Sequence, residues 1–418
     1  MNNKLIKIID FWNKQVKKPV FFRDIFIKIP KESYEIIDIL GVRRSGKSSL
    51  FSLFIQEHNI QEGECLSINF EDPFFIENNS PEIIEEIVEC FELFFSKKLK
   101  YIFFDEIQAI PHWEKAVTKI QSLEKFHIFI TGSSSKMLSQ ELSTVLTGRH
   151  QSFLNFPLSF QEFLRFEGVE NMSHKALVLN EGVLKKAFLE YLEIGGFPKI
   201  VIDKNTELLK NYFYDILHKD IIFRHNIREK EMLEKITLFL LTNSTKIYSL
   251  KNIQNTFQIS YDLTARYISY LKEAFLFFDL ERFSFSLKQR HLAQKKIYAI
   301  DTGFCAAVSF RFSEDAGRRL ENTVFLYLKQ KYTTIFYHKN QHECDFLIQE
   351  NNEITQAVQV CYDVQDGNKK REIAGILEAC AEYGIKEGTI VTLSQEFTET
   401  VKGVRISVVP AWKWMLKN

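Results

Sequence analysis

The sequence predicts an α/β protein built in several parts, and three observations predict it. Residues Gly41–Ser48 read GVRRSGKS, a full G-x-x-x-x-G-K-[ST] pattern, after the apolar run Ile36–Leu40 and before a helical stretch at Ser49–His58. A second apolar run, Tyr101–Phe104, ends in Asp105-Glu106, so a buried strand delivers two carboxylates at its C-terminal end. In the last quarter, short apolar runs alternate with helical periodicity, the pattern of a β-rich α/β domain.

The first observation gives a P-loop NTPase domain. Gly41 and Gly46 let the backbone curl so that successive N–H groups face a polyphosphate. Arg44, Ser45 and Ser49 flank the same loop. Lys47 brings positive charge to the β- and γ-phosphates, and Ser48 brings a hydroxyl to Mg²⁺. The helix that follows points its positive end at the same anion. The implied ligands are ATP and Mg²⁺.

The second observation extends binding to hydrolysis. Asp105 is the candidate to hold Mg²⁺, directly or through water, and Glu106 the candidate to polarise the attacking water. A third strand, His127–Ile130, leads into TGSSSK, where Thr131 or Ser133 is placed to sense the γ-phosphate. Arg149, in LTGRH, stands where a basic residue reaches the triphosphate of a neighbouring subunit.

Composition sets limits. The chain has 418 residues, 45% of them hydrophobic, which suits two to four domains each with its own core. With only 16 Gly and 8 Pro, long flexible linkers are not expected. Phe is frequent at 39, which points to codon bias or dense cores. Net charge is zero, so nucleic-acid binding would need local patches. Cys65, Cys90, Cys305, Cys344, Cys361 and Cys380 include no C-x-x-C pair, so a zinc site is not expected and free thiols in a cytoplasmic protein are. The N-terminal stretch carries Lys7 and Asp10 and does not read as a signal peptide. No apolar run approaches the ~18 residues of a membrane span.

The middle of the chain reads as helical. Glu181–Leu192 and Leu208–Glu229 have apolar residues three and four apart, with the break GGFP at Gly195–Pro198 between them. Asp220, Arg224 and Arg228 are read as a solvated or internally paired face. Ser249–Gln258 and Asp262–Phe277 read as helices about a turn, the second capped by Ser260 or Asp262. Leu280–Leu287 and Lys295–Ile300 read as strands joined by the basic loop KQRHLAQ. Two helices and a hairpin make a winged-helix pattern. Residues 246–300 hold nine Lys or Arg against four Asp or Glu. Arg266 and Tyr267 are candidates for a DNA groove, and Lys288, Arg290, Lys295 and Lys296 for its phosphates.

The last part predicts a helix at Leu320–Tyr332, strands at Thr334–His338, Asp345–Ile348 and Ala357–Cys361, a helix at Ile373–Tyr383 and a strand at Gly388–Leu393. This order resembles the PD-(D/E)xK, or restriction-endonuclease-like, fold. Asp345 fits its strand acid and Glu321 its helix acid, but the next strand gives Gln359-Val360-Cys361 where (D/E)-x-K is required. An amide is a poor Mg²⁺ ligand and a thiol carries no fixed positive charge, so a non-cutting domain is expected. Lys369, Lys370 and Arg371 are the nearby cations.

Taken together, GVRRSGKSSL, NFEDPFF (Asn69–Phe75), YIFFDEIQAIPHWE (Tyr101–Glu114), ITGSSSKMLS (Ile130–Ser139) and LTGRHQSFLNFPLSFQEFL (Leu146–Leu164) resemble prokaryotic AAA+-type ATPases of the AAA_14 kind that carry a C-terminal DUF4143-like region. The resemblance implies Walker B roles for Asp105 and Glu106, a sensor role for Thr131 and a finger role for Arg149. It also implies self-association into a ring or oligomer. The domain layout expected is an AAA+-type core over residues 1–170, a helical lid over 171–240, a winged helix over 241–305 and a nuclease-like domain over 306–418. The function expected is an ATPase that moves along or remodels duplex or branched DNA in repair or recombination. The alternatives are a STAND-like signalling or defence switch that binds protein partners, and an ATP-gated nuclease.

Overall fold

The computed structural model describes residues 3–135, 150–169, 174–308 and 315–417. The chain forms two compact units. One runs to Phe156 and includes Glu273–Phe275; the other holds Pro157–Lys272 and the chain from Leu276 onward. The lid, winged helix and tail expected from the sequence all concern subdivisions of the second unit.

The first unit is a parallel sheet of β1 (Ile36–Leu40), β2 (Cys65–Asn69), β3 (Tyr101–Asp105), β4 (His127–Gly132) and β5 (His150–Leu154), in the order β2-β3-β4-β1-β5. β1 and β3 are buried along their whole length, as central parallel strands are. The sheet places the C-terminal ends of β1, β3 and β4 side by side, which is where the P-loop, Asp105 and Thr131 emerge. Helix Lys47–Glu57 follows the loop and lays Phe51 and Phe54 on the sheet. Their rings lie 5.0 Å from Phe103 and 4.5 Å from Phe129. Many of the phenylalanines are thus core, while others, Phe223 and Phe285 among them, are exposed. Asp38, buried inside β1, accepts from Ser152 Oγ (2.6 Å) and faces His150 Nδ1 (3.3 Å) on β5.

The second unit opens with helix Phe160–Phe166, whose Ser159 and Glu162 form a capping box. Helix Glu181–Ile194 and the helix begun by Pro198 flank GGFP. The single helix expected over Leu208–Glu229 is instead an α-helix, Glu207–Asp215, running into a π-helical turn, Ile216–Phe223. Ile216, Leu217, Ile221 and Ile222 are buried along it. Asp220 is buried and pairs with Arg224 at 3.3 Å.

Next come helix Lys230–Thr242, β6 (Ile247–Tyr248), helix Leu250–Phe257 capped by Ser249, helix Tyr261–Glu273, β7 (Phe277–Leu280) and β8 (Lys295–Ala299). The strands form an antiparallel sheet in the order β6-β8-β7. Ser260 Oγ accepts from Leu263 N. The strand expected at Leu280–Leu287 is displaced: β7 ends at Leu280, and Ser286 caps a short helix, Leu287–Leu292, within the expected loop.

A mixed sheet closes the chain: β9 (Thr334–Lys339), β10 (Glu343–Glu350), β11 (Glu353–Val360), β12 (Glu387–Thr392), β13 (Phe397–Val401) and β14 (Val404–Pro410), in the order β13-β14-β12-β11-β10-β9. Helices Asp315–Lys331 and Asp366–Tyr383 accompany it. The sequence reading missed the hairpin β13–β14. All six cysteines are free. No helix among the described residues is long and apolar enough to cross a membrane.

Asp301, just after β8, clamps the GGFP turn. Its Oδ2 accepts from Gly196 N (2.7 Å) and its Oδ1 from Gly303 N (2.8 Å). Gly195 has φ +75°, and a Cβ there would lie 1.8 Å from Asp301 Oδ1. Burial pushes the Asp301 carboxyl up to about 7, against the two N–H bonds that favour its charged form. The folded value exceeds the unfolded one, so the native state binds the extra proton, and stability is lost as pH rises through about 7. Urea unfolding of the second unit is therefore expected to show a lower midpoint at pH 8 than at pH 5. Asp301→Asn should flatten that slope, and an unchanged slope would reject the assignment.

Candidate nucleotide site and the carboxylate cluster of the second unit

The P-loop is shaped from behind. Gly41 has φ +151°, and a Cβ on it would stand 2.2 Å from Asn155 O, so only glycine fits. Gly46, at φ +92°, turns the chain into helix Lys47–Glu57. Arg23 is buried and donates to Ser45 O (2.9 Å) and Phe156 O (2.8 Å). Asn155 Nδ2 donates to Ser45 O (3.0 Å), and Asn155 N to Leu40 O (2.7 Å). Arg43 makes a forked pair with Glu71, and Arg44 sits at φ +72°. Ser49 is exposed, next to Ser48 on the first turn of the helix.

In front of the loop the polar side chains converge. Ser48 Oγ donates to Asp105 Oδ2 at 2.7 Å, and Asn69 Nδ2 donates to the same oxygen at 2.8 Å. Thr131 Oγ1 donates to Asp105 Oδ1 (2.5 Å) and accepts from Glu106 N (2.9 Å). Lys47 Nζ lies 3.3 Å from Glu106 Oε1 and donates to the carbonyls of Gly41 and Val42. Gln108 Nε2 donates to Glu106 Oε2 at 2.5 Å. Glu106 itself adopts φ +51°, a left-handed backbone uncommon outside glycine and frequent at functional sites.

The two carboxyls are driven apart. Burial, and then the adjacent charge of Glu106, push Asp105 up. Burial pushes Glu106 the same way, but the Lys47 ammonium and the Arg43 guanidinium outweigh it and hold Glu106 below the usual range. Ser48 Oγ and the Asp105 carboxylate are hard oxygens of the kind Mg²⁺ takes, one or two from the protein with phosphate and water supplying the rest.

The structure thus brings together Lys47, Ser48, Asp105, Glu106 and Thr131. Thr131 is fully buried with its hydroxyl committed to Asp105, and Ser133 lies near Gln108. Arg149 lies outside the described residues. Sequence reasoning missed Arg23, Asn69, Gln108 and Asn155. Asn69, Gln108 and Asn155 stood inside quoted motifs, where a polar side chain beside a strand end was the available signal.

The second unit gathers its own cluster. Lys296 Nζ lies 2.8 Å from Asp345 Oδ1, 2.8 Å from Glu343 Oε1 and 3.1 Å from Glu321 Oε1. Tyr298 donates to Glu321 at 2.8 Å. Val360 N donates to Asp345 Oδ2. Gln359 Oε1 accepts from Asp345 N, and its Nε2 donates to Glu372 Oε2. Burial opposes the charge on Lys296, but Asp345 and Glu321 hold its pKa well above the ordinary value. Burial raises Glu321 to about 7 even beside that ammonium.

Two expectations are corrected here. Lys296 does not face a phosphate backbone; it is buried as the cation of the Glu321–Asp345 cluster. Of the nearby cations, Lys369 pairs with Glu399, and Arg371 pairs with Glu372, whose carboxylate also accepts from Gln359. No three His, Cys, Asp or Glu side chains among the described residues are grouped to hold a metal. Of the remaining DNA candidates, Tyr267 is buried, which removes it from a groove-facing surface. Lys295 pairs with Glu281 at 2.8 Å, and Arg290 stacks on Phe336 with 4.5 Å to the ring centre. Arg266 and Lys288 are exposed.

Comparison with known proteins agrees with the first unit. Residues 33–164 match the model of an AAA domain, and residues 185–315 match DUF8612, a domain of unknown function, where the sequence had resembled a DUF4143-like region. The uncharacterized protein MJ1544 of Methanocaldococcus jannaschii is 35% identical, over 98% of this chain and 94% of its own. An uncharacterized protein of Haemophilus influenzae is 28% identical over 90% of this chain and 93% of its own. Among solved structures, the Aeropyrum pernix ORC1 protein in complex with DNA covers 68% of this chain and 86% of its own at 10% identity, with a TM-score of 0.30. The replication initiator DnaA bound to AMPPCP and single-stranded DNA covers 65% and 92% at 14% identity, with a TM-score of 0.26. The identity to MJ1544 extends over nearly the whole of both chains, and the chain belongs to the family of AAA-domain proteins that includes MJ1544.

Proposed function

We propose that this protein is a Mg²⁺-dependent, self-associating ATPase that couples hydrolysis to work on duplex or branched DNA. The observation that carries the ATPase reading is the continuous set Ser48–Asp105–Thr131–Glu106, with Lys47 beside Glu106. Ser48 and Asp105 would hold Mg²⁺, which when bound offsets charge on the transferring phosphoryl group. Lys47 meets the β- and γ-phosphates. Thr131 fixes the Asp105 carboxylate and the Glu106 backbone together. Glu106, held ionised, takes a proton from the attacking water. Arg149 is assigned to a neighbouring subunit's site by sequence pattern alone.

The DNA part rests on element order. Two helices about a turn, preceded by β6 and followed by β7 and β8 of one antiparallel sheet, are the parts of a winged helix. Arg266 and Lys288 are among its exposed cations. The C-terminal sheet is read as a non-cutting relative of the PD-(D/E)xK fold, because Gln359-Val360-Cys361 stands where (D/E)-x-K is required. The test is ATP turnover at low salt with no DNA and with duplex, single-stranded or branched DNA. Faster turnover and a gel shift, both weakened by added salt, are expected. Equal rates and no shift would end the DNA part.

One observation favours a second reading. Phe285 and Leu292, in the segment between β7 and β8, are 82% and 77% exposed, and Leu287 is exposed between them. Such an apolar tip suits a protein partner, as in a STAND-like switch. Slow turnover with nucleotide-dependent assembly and no DNA effect is the result that selects it.

A further inference from the structure

Gln108 is half-buried, two residues beyond Glu106 and at the centre of a three-residue 3₁₀ turn, Ile107–Ala109. The left-handed backbone at Glu106 starts that turn, and it brings the Gln108 amide back onto the Glu106 carboxylate. The two carboxylate oxygens are therefore held differently. Oε1 faces Lys47 Nζ at 3.3 Å, and Oε2 accepts from Gln108 Nε2 at 2.5 Å.

These two partners have different obligations. Lys47 is the P-loop lysine, and a triphosphate in the loop claims its charge. Gln108 has no phosphate to serve. Its Nε2 also lies 3.4 Å from Ser133 Oγ at the end of β4, a longer and weaker contact. Its Oε1 is enclosed and accepts no hydrogen bond. The short bond to the Glu106 carboxylate is therefore the stronger of the contacts its amide makes.

We propose that Gln108 is a positioning residue for hydrolysis: its amide fixes the direction of the Glu106 carboxylate once Lys47 is engaged by the phosphates. This rests on the ATPase reading above. Gln108 touches neither phosphate nor water in this role; it acts through Glu106. A carboxylate on a flexible side chain samples several rotamers, and one strong donor on the oxygen remote from Lys47 selects among them. Loss of that donor costs catalysis through orientation and leaves nucleotide binding intact.

The test uses the full chain as wild type, Gln108→Met, Glu106→Gln and the double variant. Met keeps the length of the side chain without its amide, and Gln108→Ala serves as a second variant. Thermal melting reports on folding, and titration with a fluorescent ATP analogue in EDTA reports on the P-loop without metal. Gln108→Met is expected to lower kcat about tenfold with KM and analogue affinity unchanged, the loss that follows from one charge-assisted hydrogen bond. In single-turnover measurements it should have no further effect on Glu106→Gln, because a residue that acts through Glu106 has nothing to position once the carboxylate is gone. An unchanged kcat, an equal loss in both backgrounds, or a loss of analogue affinity would overturn the proposal. Wild-type chain that binds the analogue and does not turn over ATP would overturn the ATPase reading itself, and the role of Gln108 with it.

Discussion

Glu106→Gln is expected to lower ATP turnover by about 10²- to 10⁴-fold while ATP binding persists, the range for a lost general base. Three features make the effect large. Lys47 and Arg43 keep the Glu106 carboxylate ionised despite burial, so it is ready to accept a proton at neutral pH. The backbone at Glu106 is fixed by its N–H bond to Thr131 and by its left-handed conformation, so no neighbouring acid swings into its place. Asp105, the nearest carboxylate, is already committed to Ser48, Asn69 and Thr131. An amide at the position can offer its oxygen to Lys47 or to Gln108 but not to both, and it cannot take up a proton. Radiolabelled ATP gives both readouts: nucleotide retained on a filter, and phosphate released. Turnover within a factor of a few of wild type would remove Glu106 from its role.

Lys296→Met is expected to destabilise the second unit by about 3–5 kcal/mol, the cost of stripping a buried charge cluster of its counter-ion. Methionine matches the length of the lysine stem, so packing changes little and the electrostatic part dominates. Glu321, Glu343 and Asp345 would then share a poorly hydrated site with no ammonium. Their protonated forms become favoured in the fold, and a folded pKa above the unfolded value means stability that is present at low pH and lost as pH rises. The deficit should therefore be much smaller at pH 5 than at pH 8. Urea unfolding at the two pH values measures it. An equal deficit at both would show that packing, and not charge, was lost. Loss of Asp345 in place of Lys296 would leave the ammonium two carboxylate partners, so a smaller effect is expected there.

The first unit was legible because its demands are local. A phosphate loop needs Gly41 and Gly46, a buried parallel strand needs an apolar run such as Tyr101–Phe104, and a carboxylate at its end is conspicuous. The support for that site was not legible. Arg23 and Asn155 reach Ser45 from 22 and 110 residues away in sequence, and no spacing rule connects them. The second unit shows the converse error. Lys296 looked like a phosphate contact because a basic run stood beside a predicted loop, and charge on paper carries no mark of burial. Its partners Glu321, Glu343 and Asp345 come from a later helix and strand. The π-helical turn after Asp215 was missed because its apolar residues also fit the three- and four-residue spacing of an α-helix.

The bond from Asn155 to the P-loop also bears on how the chain is made. β1 lies between β4 and β5, and both of those strands are synthesised long after it. The emerging chain therefore carries Ile36–Leu40 as an unpaired apolar strand until the polypeptide has reached beyond His127. The loop is secured only when Asn155 and Phe156 have left the ribosome to receive it. Such distant pairings close slowly, since a long loop of chain must be ordered first. The contacts that Asn155 and Phe156 make behind the ATP site thus become available only after all five strands of the sheet have been made.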